Sequence, residues 1–358
     1  FPTRRSSDLS LIFAVACILF TWLVAPYIMQ QVAAPEAYPQ DMAFLRIRIF
    51  GLPFLYLFQL SNAFLVSSLN SRLLLIGFIC DAAVNVVLDY VFIFGHFGIP
   101  AMGFNGAAWA SVIAEAVGMV VVWLVMIRSG LKQQYGLLEN RRYDRKISLE
   151  IIHVSLPLVL QYIISVTTWL IFFLLIESRG IMAKAISNTM RNVFGLAGVF
   201  VWAFAGTTNN MVSNLIGQKK LDQVLPCINR IMFWSMGLCS IMVLLLNLFP
   251  EAFFQLFGQD ETFVQEGIPV IRVVSLGMLF MSMANIWLNG VTGTGQTRSN
   301  LIIEIVAIAA YLGYTWYFMR WNYVSLAMAW SNEVVYWSFI LLMAFVYLRK
   351  GHWRKAHL

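Results

Sequence analysis

Apolar residues crowd this chain into long runs separated by short polar joints. Ten runs are about the length that carries a helix across ~30 Å of hydrocarbon. They fall at approximately 10–33, 44–68, 73–97, 104–127, 150–177, 185–215, 231–256, 268–292, 299–319 and 323–348. The pattern predicts an all-α membrane protein with about ten transmembrane helices. The runs at 150–177 and 185–215 are longer than a perpendicular crossing needs, which predicts tilt or a break. In the third run the stretch NVVLDYVFIFG (85–95) sets an amide and an acid among apolar residues. Residues four apart share a helix face, so Asp81, Asn85 and Asp89 form one polar stripe, about 12 Å long at 1.5 Å per residue. Val84, Val87, Val91 and Phe94 are expected on the opposite face.

Each acid at mid-membrane costs about 2.5–3.5 kcal/mol on insertion scales. A stripe facing lipid would be unstable, whereas one facing a polar interior would not. Composition supports the membrane class: the chain is 60% hydrophobic and only 11% charged, against roughly 25% charged in soluble domains. The four cysteines, Cys17, Cys80, Cys227 and Cys239, are scattered without a CxxC pair. Neither a metal site nor a disulfide framework is predicted. The histidines are dispersed, and there is no GxSxG, HExxH or phosphate loop, so no enzyme reading has support.

The excess of basic residues, 24 Lys+Arg against 17 Asp+Glu, could point to nucleic acid, but its placement reads as topogenic. One set of joints carries Arg72, then Arg128, Lys132, Arg141, Arg142, Arg145 and Lys146, then Lys219, Lys220 and Arg230, then Arg298. The tail adds Arg349, Lys350, Arg354 and Lys355. The alternate joints are poor in basic residues and hold the acidic stretches 35–41 and 249–261. By the positive-inside rule the basic set is cytoplasmic, and with ten spans both termini are cytoplasmic too. Partners are then the lipid bilayer and small molecules, with no nucleic acid, and the chain is expected to act as a single copy.

Two stretches resemble each other, LRIRIFGLPFLYLFQLSNAFLVSSLNSR (45–72) and IRVVSLGMLFMSMANIWLNGVTGTGQTR (271–298). Arg46 pairs with Arg272 and Arg72 with Arg298, each 226 apart (272 − 46 and 298 − 72). Trp109 and Arg128 then pair with Trp330 and Arg349, each 221 apart (330 − 109 and 349 − 128). Four consecutive spans recur in one order, the pattern of two similar lobes in a secondary transporter. The reading is four spans in a partial first lobe (10–128), a basic loop (129–148), six spans in a second lobe (149–348) and a tail (349–358). Residues 1–9, FPTRRSSDL, are set apart as a non-native junction.

The residues NVVLDYVFIFGHFGIPAMGFNGAAWASVIAE (85–115), the RI-x-x-x-G-x-P of Arg46–Pro53, SLPLVLQ (155–161) and NGVTGTGQTR (289–298) resemble those of the MATE family of multidrug and toxic-compound efflux antiporters. The resemblance runs from residue 10 onward. It implies twelve spans in two six-helix lobes around a V-shaped cavity, with this chain beginning at the third. The family's first span carries an aspartate used in cation coupling, which has no position here. The family's N-x-x-x-D motif maps onto Asn85 and Asp89 and implies a place in the cation-coupling acid network. H⁺ or Na⁺ is the implied coupling ion, with no other cofactor.

Several polar positions have two readings each. Asp89 either exchanges a proton for a bound cation or hydrogen-bonds Asn85 or a neighbouring hydroxyl to fix helix packing. Asp81, nearer the basic end, is expected to be solvated. Ser111 and Glu115 stand one turn apart; Glu115 either extends the network or ends in a structural hydrogen bond. In the second lobe Gln161, Ser165 and Thr168 line one helix, and Ser282, Asn285 and Asn289 another. Glu304 is expected at the interface, by snorkelling from the helix end. Glu333, near Trp330, Tyr336 and Trp337, either meets an organic cation by charge and ring face or makes a buried hydrogen bond. The amide-rich 204–218 is expected to be a helix end rather than a break.

The function these readings favour is cation-coupled export of amphipathic, often cationic compounds across the inner (plasma) membrane. A lipid-linked oligosaccharide flippase is the first alternative, but a cavity for diphosphate lipids calls for central Arg and Lys. A non-functional fragment is the second, and it leaves the acidic stripe unexplained.

Overall fold

The computed structural model describes residues 4–32, 36–68, 70–137, 145–255, 260–319 and 324–355. Parts of the expected loops, 138–144, 256–259 and 320–323, lie outside the described residues, as do residues 1–3 and 356–358. The described residues form helices and their connections: α1 (Arg4–Val32), α2 (Tyr38–Arg48), a 3₁₀ turn (Ile49–Gly51), α3 (Leu52–Ser67), α4 (Arg72–Phe94), α5 (Phe104–Arg128) and the short α6 (Leu131–Gln134). There follow α7 (Arg145–Glu177), α8 (Ile181–Gly217), a second 3₁₀ turn (Leu221–Gln223), α9 (Val224–Leu248) and α10 (Pro250–Gln255). The chain closes with α11 (Glu261–Gly293), α12 (Thr297–Met319), α13 (Leu326–Trp330), α14 (Asn332–Lys350) and α15 (His352–Lys355).

Among the described residues nine segments are long and apolar enough to cross a membrane. The tenth expected run, 185–215, is α8. At 37 residues it has the length, but Lys184, Asn188, Arg191, Asn192 and the Thr207–Asn210 stretch dilute its apolarity. Neither long helix is broken. Pro157 is accommodated inside α7, and the polar end of α8 stays helical to Gly217. There Thr207, Thr208, Asn210 and Asn214 donate to carbonyls four residues back on their own helix.

Breaks come elsewhere. The expected run 44–68 is divided by the 3₁₀ turn Ile49–Gly51. Pro53 lacks an N–H and its ring would strike the Ile49 carbonyl, so the chain tightens there and the Leu52 N–H returns to Ile49 O. The last run is likewise divided, α13 giving way to α14 at Ser331.

The chain forms two compact units, Phe1–Glu150 and Ile151–Leu358. In unit 1, α4 and α5 are the most closely joined pair, and small residues make that possible. A Cβ added to Gly106 would stand 2.7 Å from the Phe92 backbone, and one at Gly77 2.1 Å from the Val122 side chain. Phe58, Phe64, Leu65, Leu74, Val122, Met126 and Leu131 fill the core beside this seam. Val86, Val87, Tyr90 and Phe94 form the exposed face of α4. Val91, expected there, is buried, because it lies three residues from Leu88 on the flank of the acidic stripe rather than opposite it.

Unit 2 is built around α11, whose residues are mostly buried. Its start is fixed by Asp260, whose side chain accepts from the Phe263 N–H at 2.9 Å. Trp330, fully buried, stacks on Phe194 and donates its indole N–H to Ser187 at 3.0 Å. The helix order of the repeat recurs in both units: α4 packs on α5 as α12 packs on α14, and α5 meets α2 and α3 as α14 meets α11.

Candidate functional site

In unit 1 the acidic stripe turns toward α5. Asp81, Asn85 and Asp89 are each half-buried. Phe92 meets Gly106, Asn85 Nδ2 donates to Ser111 Oγ at 3.3 Å, and Asp81 packs on Gly118. This antiparallel register sets Asp89 opposite the small step Ala107–Ala108. Asp89 Oδ1 is shielded from solvent and meets no donor. The packing alternative, a bond from Asn85 to Asp89, is not what forms: the Asn85 amide donates to Ser111, and Asp89 Oδ1 meets no donor.

Of the two readings of Glu115, the structural hydrogen bond is the one that forms. Its carboxylate is gripped by both ends of the Arg48 guanidinium, Nη1 to Oε2 at 2.9 Å and Nη2 to Oε1 at 2.5 Å. Arg48 was not singled out in the sequence, where Arg46 carries the motif; Arg46 instead turns outward over the Trp22 ring. The signal available was an arginine inside the apolar run 44–68, which must find an acid. Asp81 departs from expectation. It is the tenth residue of α4, half-buried against Gly118, and the Arg48 guanidinium acts on it through space.

In unit 2 the interfacial expectation for Glu304 is overturned. The residue is 1% exposed and receives three donors: Ser165 Oγ, Tyr336 OH, and Gln161 Nε2 at 3.3 Å. Asn300 Nδ2 in turn holds Gln161 Oε1 at 2.6 Å. Two turns into α12 the carboxylate is already covered by α7 and α14, so no snorkelling route is open. Glu333 is 5% exposed and takes the Trp337 indole N–H at 3.1 Å, an edge contact rather than a ring face offered to a solute. Around these two acids Asn300 Oδ1, Tyr311 OH and Asn332 Oδ1 are shielded without partners. Asn285 and Asn289 do not join them. They bond each other along α11, Asn289 Nδ2 to Asn285 Oδ1 at 3.2 Å.

The repeat aligns the two polar seams. Ser111 and Asn332 are 221 apart, as are Glu115 and Tyr336 (332 − 111 and 336 − 115). In each unit the antiparallel helix pair therefore brings polar side chains to the same level of the seam, with acids in both but different partners.

Residues 157–315 match the MatE family model. The probable multidrug resistance protein NorM of Thermotoga maritima is 24% identical over 274 residues, 76% of this chain and 58% of that protein. The multidrug resistance protein NorM of Aliivibrio fischeri is 23% identical over 317 residues, 88% of this chain and 64% of that one. The chain thus spans about three fifths of the length of these relatives. In fold it matches the solved outward-facing conformation of a multidrug resistance MATE family transporter of the MOP superfamily, with a TM-score of 0.85 at 17% identity over 98% of this chain and 78% of that one. Over residues 157–315 this multi-pass membrane chain is similar to the MATE family.

Proposed function

We propose that the chain exports amphipathic, cationic small molecules across the inner membrane in exchange for H⁺ or Na⁺, with the exchangeable charge on Asp89. The reading places the basic joints and both termini on the cytoplasmic side and converts no substrate chemically. The observation that carries it is one carboxyl oxygen of the half-buried Asp89, Oδ1, shielded from water between α4 and α5 and left without a donor. A structural carboxylate is held by hydrogen bonds, as Glu304 is. A carboxyl group taken from water without them keeps its charge only when a cation is supplied. A proton, a sodium ion and an organic cation then compete for one negative charge, and that competition is antiport. The names of the NorM relatives, which speak of multidrug resistance, support the choice of substrate class. The flippase reading loses support because the half-buried Arg48 of unit 1 is neutralised by Glu115 and offers no free charge to a diphosphate.

The test is ethidium efflux from proteoliposomes under an imposed pH or Na⁺ gradient. Wild-type efflux should follow one of the two gradients, which identifies the ion. Asp89→Asn and Asp89→Ala should lose that dependence, each falling at least about tenfold, the loss of ~1.4 kcal/mol of coupling. Unchanged gradient dependence in both variants rejects the assignment.

A further inference from the structure

We propose that Arg48 is a built-in counter-charge that withdraws Glu115 from cation exchange and thereby sets how many charges the exchange site of unit 1 carries. The inference rests on the exchange reading above and deepens it.

The charges that reach the seam come from three helices. Arg48 arrives from α2, Asp81 and Asp89 from α4, and Glu115 from the middle of α5. No charged residue occurs in α3 or in α1 between Ile12 and Gln31. Arg46 is turned away over Trp22, Arg72 and Arg128 are exposed at helix ends, and Asp41 lies at the start of α2. Tyr56 lies beside Cys17, and His96 stacks on Tyr90 beyond the end of α4. One cation thus faces three acids.

The backbone is shaped for the pair. The packing of α2 on α5 brings Arg48 to Glu115, and Gly51 leaves the room it needs. A Cβ there would stand 2.3 Å from Glu115 Oε2 and 2.6 Å from Arg48 Nη1. Glu115 is the better covered partner, its side chain 12% exposed against 34% for Arg48. Guanidinium does not give up its proton in a protein, so Glu115 is permanently compensated and unavailable to a competing cation.

The second copy of the repeat supplies an internal comparison. The positions equivalent to Arg48, Asp81 and Glu115 hold Val274, Ala307 and Tyr336 (274 − 48 and 307 − 81, each 226; 336 − 115, 221). All three charges are absent there together, and none is left stranded. A cation and acids that appear and vanish as a set behave as one electrostatic unit. With Arg48 committed to Glu115 and acting through space on Asp81, the exchangeable charge is left to Asp89.

The experiment compares wild type, Arg48→Gln, Glu115→Gln and the double variant by two readouts. One is the infrared carbonyl band of protonated carboxyl groups at neutral pH. The other is gradient-driven ethidium efflux. Arg48→Gln should gain one protonated-carboxyl band that the double variant lacks, because Glu115 loses its counter-charge. Each single variant should fall about tenfold in efflux, and the double variant should return to within about twofold of wild type, since a lone buried charge costs more than the absence of the pair. No new band in Arg48→Gln, or a double variant no better than the singles, overturns the proposal. Wild-type efflux indifferent to both gradients would defeat the exchange reading instead, while the infrared arm still decides the role of Arg48.

Discussion

Glu304→Ala is expected to destabilise unit 2 by about 3–5 kcal/mol, the cost of breaking one partner out of a buried charged network. The carboxylate accepts from Gln161, Ser165 and Tyr336 in a place almost without solvent. Removing it saves the desolvation of one charge, but it leaves three donors facing a small void. Each unmet donor costs about 1–3 kcal/mol, so the loss outweighs the saving. Glu304→Gln keeps the volume and one acceptor and should cost less than half as much. The check is the thermal midpoint of the purified protein in detergent. Equal midpoints for wild type, Ala and Gln would mean that the carboxylate is not enclosed as described.

Asp89→Leu is expected to do the reverse, raising stability by about 1–3 kcal/mol while abolishing gradient-driven efflux. An acid with a shielded oxygen and no donor is a standing cost of that order, and an isosteric apolar side chain removes it. Stability gained as activity is lost is the signature of a group kept for function against the preference of the fold. A packing residue would show the opposite sign, since its removal would strand a donor, and a lower midpoint for Asp89→Leu would count against exchange. Glu304 and Asp89 thus separate two uses of an intramembrane acid. One is surrounded by donors and holds helices together; the other has a shielded oxygen that meets none.

The helices were legible because each apolar run is bounded by polar joints, and hydrocarbon imposes one length on nearly all of them. What periodicity hid was phase and depth. Arg46 and Arg48 stand two apart, and which one turns inward depends on the face of α2 that packs on α5. Glu304 was placed at the interface by its distance from Arg298, but cover is set by neighbours, and α7 and α14 reach that level. Asp81 was misjudged for the same reason, its surroundings being supplied by Gly118 and Arg48. Helical spacing did put Asp81, Asn85 and Asp89 on one face, and Ser111 was brought to Asn85. It could not say that Asn285 and Asn289 would satisfy each other along α11 instead of joining the acids. The exposed face of α4 slipped by a few residues because Val84 and Val91 are four before Leu88 and three after it, close to the stripe.

The most direct measurement of the central claim is proton release when a lipophilic cation binds. Tetraphenylphosphonium added to the purified protein in weakly buffered detergent at a series of pH values should expel protons from wild type. Asp89→Asn should bind more weakly and expel fewer, and a chain that works with Na⁺ should expel bound sodium instead, again only with Asp89 intact. The same release of protons or sodium from wild type and from Asp89→Asn would contradict the account.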